Sequence, residues 1–286
     1  MVRASDRESV PRYGEPRLMR AGLGNMLFPW ARCFLWCRDS GAAMFAPRWF
    51  KLRIGPYIRR EPDKRRYDRL FVNDGYVHGV RRASTLARAE VVREDAPFSQ
   101  TRAKPVVVRF EGLGEFFEPV LGRGNEVAEE LRRITRPRYL PPTHERAFIA
   151  VHVRLGDFDE SWRQPIDWYA RAVEALRDGL GADLPARLYS DGTDAELAPI
   201  TSLPRVELVR GASAITDMLD LAEAAAIVAS SSTFSMWGSF LGTVPTIWYP
   251  DRLWQRCLAD PALEVEWGGA EHPPQTFLAA VRKRLT

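Results

Sequence analysis

Between residues 147 and 249 short apolar runs recur at regular intervals, and the stretches between them repeat their apolar residues at helical spacing. This alternation predicts parallel strands joined by crossover helices, since a strand covered on both faces is apolar throughout while a surface helix needs one apolar stripe. Strands are predicted at 147–153, 186–189, 206–209, 226–229 and 246–249. Helices are predicted at 165–180, near Asp194, at 215–225 and from the Ser/Thr run at 230–235 through Leu241. No internal repeat is visible.

The first half is less regular. Gly22 and Gly24 precede an apolar run and predict a tight turn into a buried helix, although Gly-x-Gly alone is weak as a phosphate loop. Residues 104–110 read as a strand broken by Gly112 and Gly114, 126–133 as a helix, and 83–104 show no clear period. Pro137, Pro141 and Pro142 mark the expected domain boundary. The expected organisation is a flexible tail at 1–20, a domain at 21–140 and a second at 141–286.

At 286 residues, 45% hydrophobic and 27% charged, the chain has the composition of a soluble globular protein. It lacks the roughly 18–20-residue apolar run of a membrane span, and its polar start lacks the core of a signal peptide. Cys33, Cys37 and Cys257 show neither zinc spacing nor a disulfide framework, and read as buried thiols in a reducing cytoplasm. The net charge is +4, with basic residues concentrated between Lys51 and Arg82. Without a nucleic-acid module, that cluster is expected to be a solvated face or a peripheral contact with the anionic inner membrane leaflet, not a nucleic-acid site.

Three predicted strand ends carry polar groups, and in a parallel sheet they fall on one edge, where ligands bind. His152 and Arg154 lead into Gly156-Asp157, Ser190-Asp191 follows the next strand, and Ser230–Ser235 follows a third. Arg154 offers a planar fork for two phosphate oxygens, and the hydroxyls and free N–H groups of the Ser/Thr turn suit an anion. Asp191 suits a ribose hydroxyl or the donor nitrogens of a base. Together they describe a nucleotide-diphosphate site, whereas the Ser/Thr run alone would be an ordinary helix cap.

His152-Val153-Arg154-Leu155-Gly156-Asp157, Tyr189-Ser190-Asp191 and Ser232-Thr233-Phe234-Ser235-Met236-Trp237-Gly238 resemble the ordered motifs of alpha-1,2-fucosyltransferases, glycosyltransferase family 11. Gly22 to Phe28, Glu115-Phe116-Phe117 and Asp217-Met218 are similar to further family segments. The resemblance implies a GT-B-like α/β fold of two Rossmann-like domains with parallel sheets and an interdomain cleft. It implies GDP-fucose as donor, a glycan hydroxyl as acceptor, inversion at the fucose carbon, and no metal or other cofactor. By carry-over, Arg154 holds the pyrophosphate, His152 lines its pocket, Asp191 meets the guanosine, and Ser190 belongs to the same donor site. Ser232, Thr233 and Ser235 surround the phosphates, Phe234 belongs to the same donor site, Gly24 and Asn25 face the cleft, and Asp157 or His152 is the base. Leu155, where a second Arg is common, and Gly192, where a second Asp is common, depart from the pattern.

Two other readings stay open at this stage. Asp157 and Asp159 have the spacing of a metal-binding pair in a metal-dependent glycosyltransferase. A catalytically idle sugar-nucleotide-binding protein of the same fold would carry the same motifs.

Overall fold

The computed structural model describes residues 11–19, 21–49, 67–96, 104–144, 147–156, 159–269 and 272–285. The chain forms two compact units, Met1–Val120 and Leu121–Thr286.

The first unit is built on four parallel strands: β1 (Arg12–Arg17), β2 (Ala43–Met44), β3 (Glu90–Arg93) and β4 (Val106–Glu111), in the order β2-β1-β4-β3. Helix α1 (Leu23–Ser40) starts at Gly22, as the two glycines predict, and α2 (Gly79–Arg88) precedes β3. Residues 12–17 correct the expected tail, because β1 lies inside the sheet, paired with β2 and β4. Its charged letters hide it. Glu15 is buried and accepts from Arg82 Nη2 at 2.7 Å and Arg109 Nε at 2.8 Å. Burial opposes ionisation of Glu15, but those two guanidinium bonds outweigh it and hold the carboxyl below its usual range. Gly14 admits α1, since a Cβ there would lie 2.7 Å from Cys33 Sγ and nearer still to Cys37 Sγ. All three cysteines are free and buried.

The second unit carries six parallel strands: β5 (Ile149–Val153), β6 (Ala186–Ser190), β7 (Val206–Val209), β8 (Ala226–Val228), β9 (Thr246–Trp248) and β10 (Glu264–Glu266). Their order is β10-β9-β8-β5-β6-β7. The chain starts in the middle at β5, winds outward to β7, then crosses to β8 and winds outward the other way. That is the doubly wound order, and its reversal point lies between β5 and β8, where such sheets open a crevice at their carboxyl ends.

Helices α3 (Gly124–Ile134), α4 (Ile166–Leu180), α5 (Asp194–Thr201), α6 (Ala214–Leu221), α7 (Thr233–Gly242) and α8 (Gln275–Lys283) complete the unit. Ile149, Val151, Val153, Leu188, Val228 and Ile247 pack with Trp168, Val173, Leu176 and Phe277 in one core. Each such buried side chain contributes about 1.5–3 kcal/mol. Ser213 and Ser232 cap α6 and α7, and Thr193 with Glu196 forms a capping box on α5.

The units divide ahead of the proline run. Helix α3 belongs to the second unit because Gly124 lies against the Phe240 carbonyl in α7, too close for any side chain. Beyond it, Thr216 Oγ1 donates to the Tyr139 carbonyl at 2.9 Å. Among the described residues no helix is long and apolar enough to cross a membrane.

Candidate functional site

Strands β8, β5 and β6 are neighbours and run parallel, so Ser230, His152 to Arg154, and Ser190 with Asp191 meet along one edge of the sheet. His152, the fourth residue of β5, is buried. Its Nδ1 lies 2.6 Å from Ser235 Oγ and 2.9 Å from Ser230 Oγ, and those two hydroxyls are 3.0 Å apart. The imidazole stacks on Phe234, with ring centroids 5.0 Å apart. Burial first, and the nearby Arg154 charge second, push its pKa down to about 3 against the opposing pull of Asp191. The ring is neutral at pH 7.

The turn after β8 leads straight into α7. Ser232 caps that helix by accepting from Ser235 N at 3.4 Å, and its Oγ is 3.1 Å from Ser230 Oγ. Thr233 opens the helix. Ser231 is held from outside: Gln164 Nε2 donates to its Oγ at 2.6 Å and Trp254 Nε1 to its carbonyl at 3.3 Å. Tyr169 OH in turn donates to Gln164 Oε1 at 2.6 Å. The structure thus fixes the backbone of a helix start, whose leading N–H groups favour anions.

Arg154 follows β5, and its Nη1 donates to Asp191 Oδ2. The other carboxylate oxygen of Asp191 accepts from the Leu155 backbone N–H at 2.8 Å. Asp191 therefore orients the guanidinium and ties the β5 and β6 loops together. Gly156 is required beside it, because a side chain there would run into the Asp191 carboxylate. Ser190 Oγ accepts from Gly192 N at 3.0 Å, and Arg210 clamps the same turn, donating to the Ser190 carbonyl at 3.1 Å and the Gly192 carbonyl at 2.8 Å.

Beneath β6, Tyr189 OH donates to Asp220 Oδ2 at 2.6 Å, and His144 bonds the other oxygen of Asp220. Asp217, in the first turn of α6, is raised to about pKa 7 by burial and then by the Asp220 charge.

The structure brings His152, Arg154, Ser190, Asp191, Ser232, Thr233, Phe234 and Ser235 to one sheet edge. Gly24 and Asn25 lie in the first turn of α1, in the other unit. Asp157 is outside the described residues, as are residues 51–66 of the basic cluster from Lys51 to Arg82. Asp159 Oδ1 accepts from Ser161 N and Ser161 Oγ at 2.9 Å and 2.7 Å, so it caps a short turn. Among the described residues no group of three His, Cys, Asp or Glu side chains stands ready for a metal. Gln164, Arg210 and Trp254 went unnoticed in the sequence. Arg210 alone carried a signal, as a charge directly after a predicted strand.

No protein-family model and no curated protein matches the chain. Solved structures do. The fucosyltransferase NodZ from Bradyrhizobium is 17% identical, aligned over 82% of this chain and 94% of that one, with a TM-score of 0.51. Arabidopsis thaliana FUT1 in complex with GDP is 13% identical over 86% of this chain and 73% of that one, with a TM-score of 0.47. Escherichia coli heptosyltransferase WaaC with ADP is 14% identical over 95% and 98%, with a TM-score of 0.45. At such identity the NodZ likeness is one of fold. With the two parallel sheets, it makes this chain a GT-B-like α/β protein.

Proposed function

We propose that the chain is a glycosyltransferase that moves fucose from GDP-fucose to a hydroxyl of a glycan acceptor, with inversion and without an obligatory metal. The alpha-1,2 linkage is the part of this reading taken from the motif resemblance. The observation that carries the proposal is the meeting of Arg154, His152, Asp191 and the α7 start at the reversal point of a doubly wound sheet. The fold likeness to a fucosyltransferase accords with it by analogy.

In the proposed reaction the acceptor oxygen forms a bond to the fucose anomeric carbon as the bond from that carbon to the diphosphate breaks. Negative charge grows on the departing GDP, and Arg154 with the N–H groups at the start of α7 stabilises it. Asp191 holds the guanidinium in place. His152 is buried, with its Nδ1 engaged by Ser230 and Ser235, so it acts as a neutral wall, and Asp157 is left as the other candidate to receive the acceptor proton.

Calorimetry with GDP, UDP and CMP tests the donor class, and hydrolysis of the matching sugar nucleotides tests chemistry. Selective GDP binding with release of GDP from GDP-fucose is expected. Preference for UDP or CMP would refute the donor assignment, and tight GDP binding with no turnover would mark a binding protein. Retention of activity after EDTA treatment is expected, and full loss restored by manganese would reverse the metal-free assignment.

A further inference from the structure

The first unit contains a cavity of about 410 Å³ at the carboxyl end of β2, beside the start of α2. Its volume is that of a small-molecule site. Backbone bonds hold this corner: Phe45 N donates to the Gly14 carbonyl at 2.8 Å, and Ala46 N to the Val77 carbonyl at 3.0 Å. Leu86 gives the cavity an apolar wall and packs on the Phe45, Val77 and Val107 cluster. The polar lining is Arg48, Asn73, His78 and Arg82, and among the described residues no acidic side chain lines it.

The charge of this lining is only partly compensated. Among the described residues the side chains of Arg48, Asn73 and His78 have no hydrogen-bond or ion-pair partner. Arg82 is paired with Glu15, which also takes Arg109, and Arg109 has Glu111 as a second acidic partner. His78 stands at the N-cap of α2 without a side-chain cap bond, and the first turn of that helix contains no acid. The open N–H groups there add to the same positive sign. A single solvated arginine is ordinary. A concave, partly apolar space whose described rim is cationic is the form of a site for an anion on a larger body.

We propose that this cavity binds a small anionic ligand, a carboxylate or phosphate carried on a body of about monosaccharide size. Arg48 and His78 meet the anion, Asn73 a neighbouring hydroxyl, and Leu86 the apolar face. The inference stands apart from the nucleotide site, which lies in the other unit. A free sugar acid, a sugar phosphate and a lipid headgroup share this chemistry.

Calorimetry on the full chain separates these sources, using D-glucuronate, glucose 6-phosphate, inorganic phosphate and neutral glucose, alongside co-sedimentation with phosphatidylglycerol vesicles. Saturable binding of a charged sugar, tighter than that of glucose, is expected. It should weaken about tenfold or more in Arg48→Gln combined with His78→Asn, and persist in Arg154→Ala. Arg48→Glu, a charge reversal at an exposed side chain, should abolish it while the thermal midpoint stays unchanged. Equal affinity for charged and neutral sugars, loss only in Arg154→Ala, or vesicle binding without binding of any soluble anion would each overturn the proposal.

Discussion

Leu155 fills the space that a side chain at position 192 would need, since a Cβ on Gly192 would lie 2.6 Å from Leu155 Cδ1. Both positions depart from the motif pattern the sequence resembles, and they do so as a matched pair. Leu155 is buried, and its N–H is bonded to Asp191, so its placement and the Arg154 anchor are linked. Gly192→Ala is expected to cost about 1–3 kcal/mol through overpacking. Adding Leu155→Ala should recover part of that loss, giving a coupling energy outside simple additivity. Urea midpoints of the two single variants and the double variant measure it, and strict additivity would deny the link.

Arg154→Ala is expected to lower turnover of GDP-fucose about 10²–10³-fold, because it removes a donor aimed at charge that grows in the transition state. Stability should hardly change, as the Arg154 and Asp191 side chains are 31% and 29% exposed and such pairs contribute little. Asp191→Asn keeps an acceptor for the Leu155 N–H but loses the charge, and should lie between wild type and Arg154→Ala. Initial rates of GDP release rank the three.

Asp217 couples stability to pH. Its carboxyl rises from 3.8 to about 7 in the folded protein, with burial the larger cause and Asp220 the second. Among the described residues its buried Oδ1 has no hydrogen-bond partner. The folded state holds this proton more tightly than the unfolded state does. Its contribution is therefore complete below pH 3.8 and is lost as pH rises through about 7. Asp217→Asn should flatten the decline in stability across that window, read as urea midpoints against pH. A slope identical to wild type would show that this carboxyl does not titrate there.

Glu15 carries the opposite sign. Its two arginine bonds hold the pKa below 4.5, so its contribution is present above that value and is lost as pH falls through the lower, folded one. Its side chain is 5% exposed, and Glu15→Gln is expected to cost about 3 kcal/mol at neutral pH by leaving Arg82 without its charge partner and Arg109 with Glu111 alone. Denaturation of wild type and variant at neutral and acid pH checks both parts, and the gap between them should narrow in acid.

How much of this was legible depended on where each strand lies. Val206–Val209 matches the predicted range residue for residue, and β5, β6, β8 and β9 fall within one or two residues of theirs, because these strands are apolar runs between helices. Strand β10 escaped notice because its first residue, Glu264, is buried and charged, accepting from the backbone N–H groups of Cys257 and Leu258. β1 escaped for the same reason at Glu15. β3 is an edge strand with mostly exposed positions, so no alternation was there to read. At the site, Arg154 and the Ser/Thr turn stood out as residue types at strand ends. The bond from Arg154 to Asp191 did not, since it joins residues from separate strands and depends on strand order. The chemistry of Asp191 suggested a base- or ribose-reading group, and in the structure its carboxylate is bonded to Arg154 and the Leu155 N–H.

The shared carboxylate of Asp191 turns ligand capture into an exchange. An anion approaching Arg154 meets a guanidinium already partly neutralised, and it must share or displace an oxygen that is in place before it arrives. A displaced carboxylate stays tethered beside the ligand, so the negative charge that binding adds must be offset by the start of α7. Discrimination then comes from fit: a ligand must offer oxygens in better register with the fork of Arg154 and the start of α7 than a resident aspartate does.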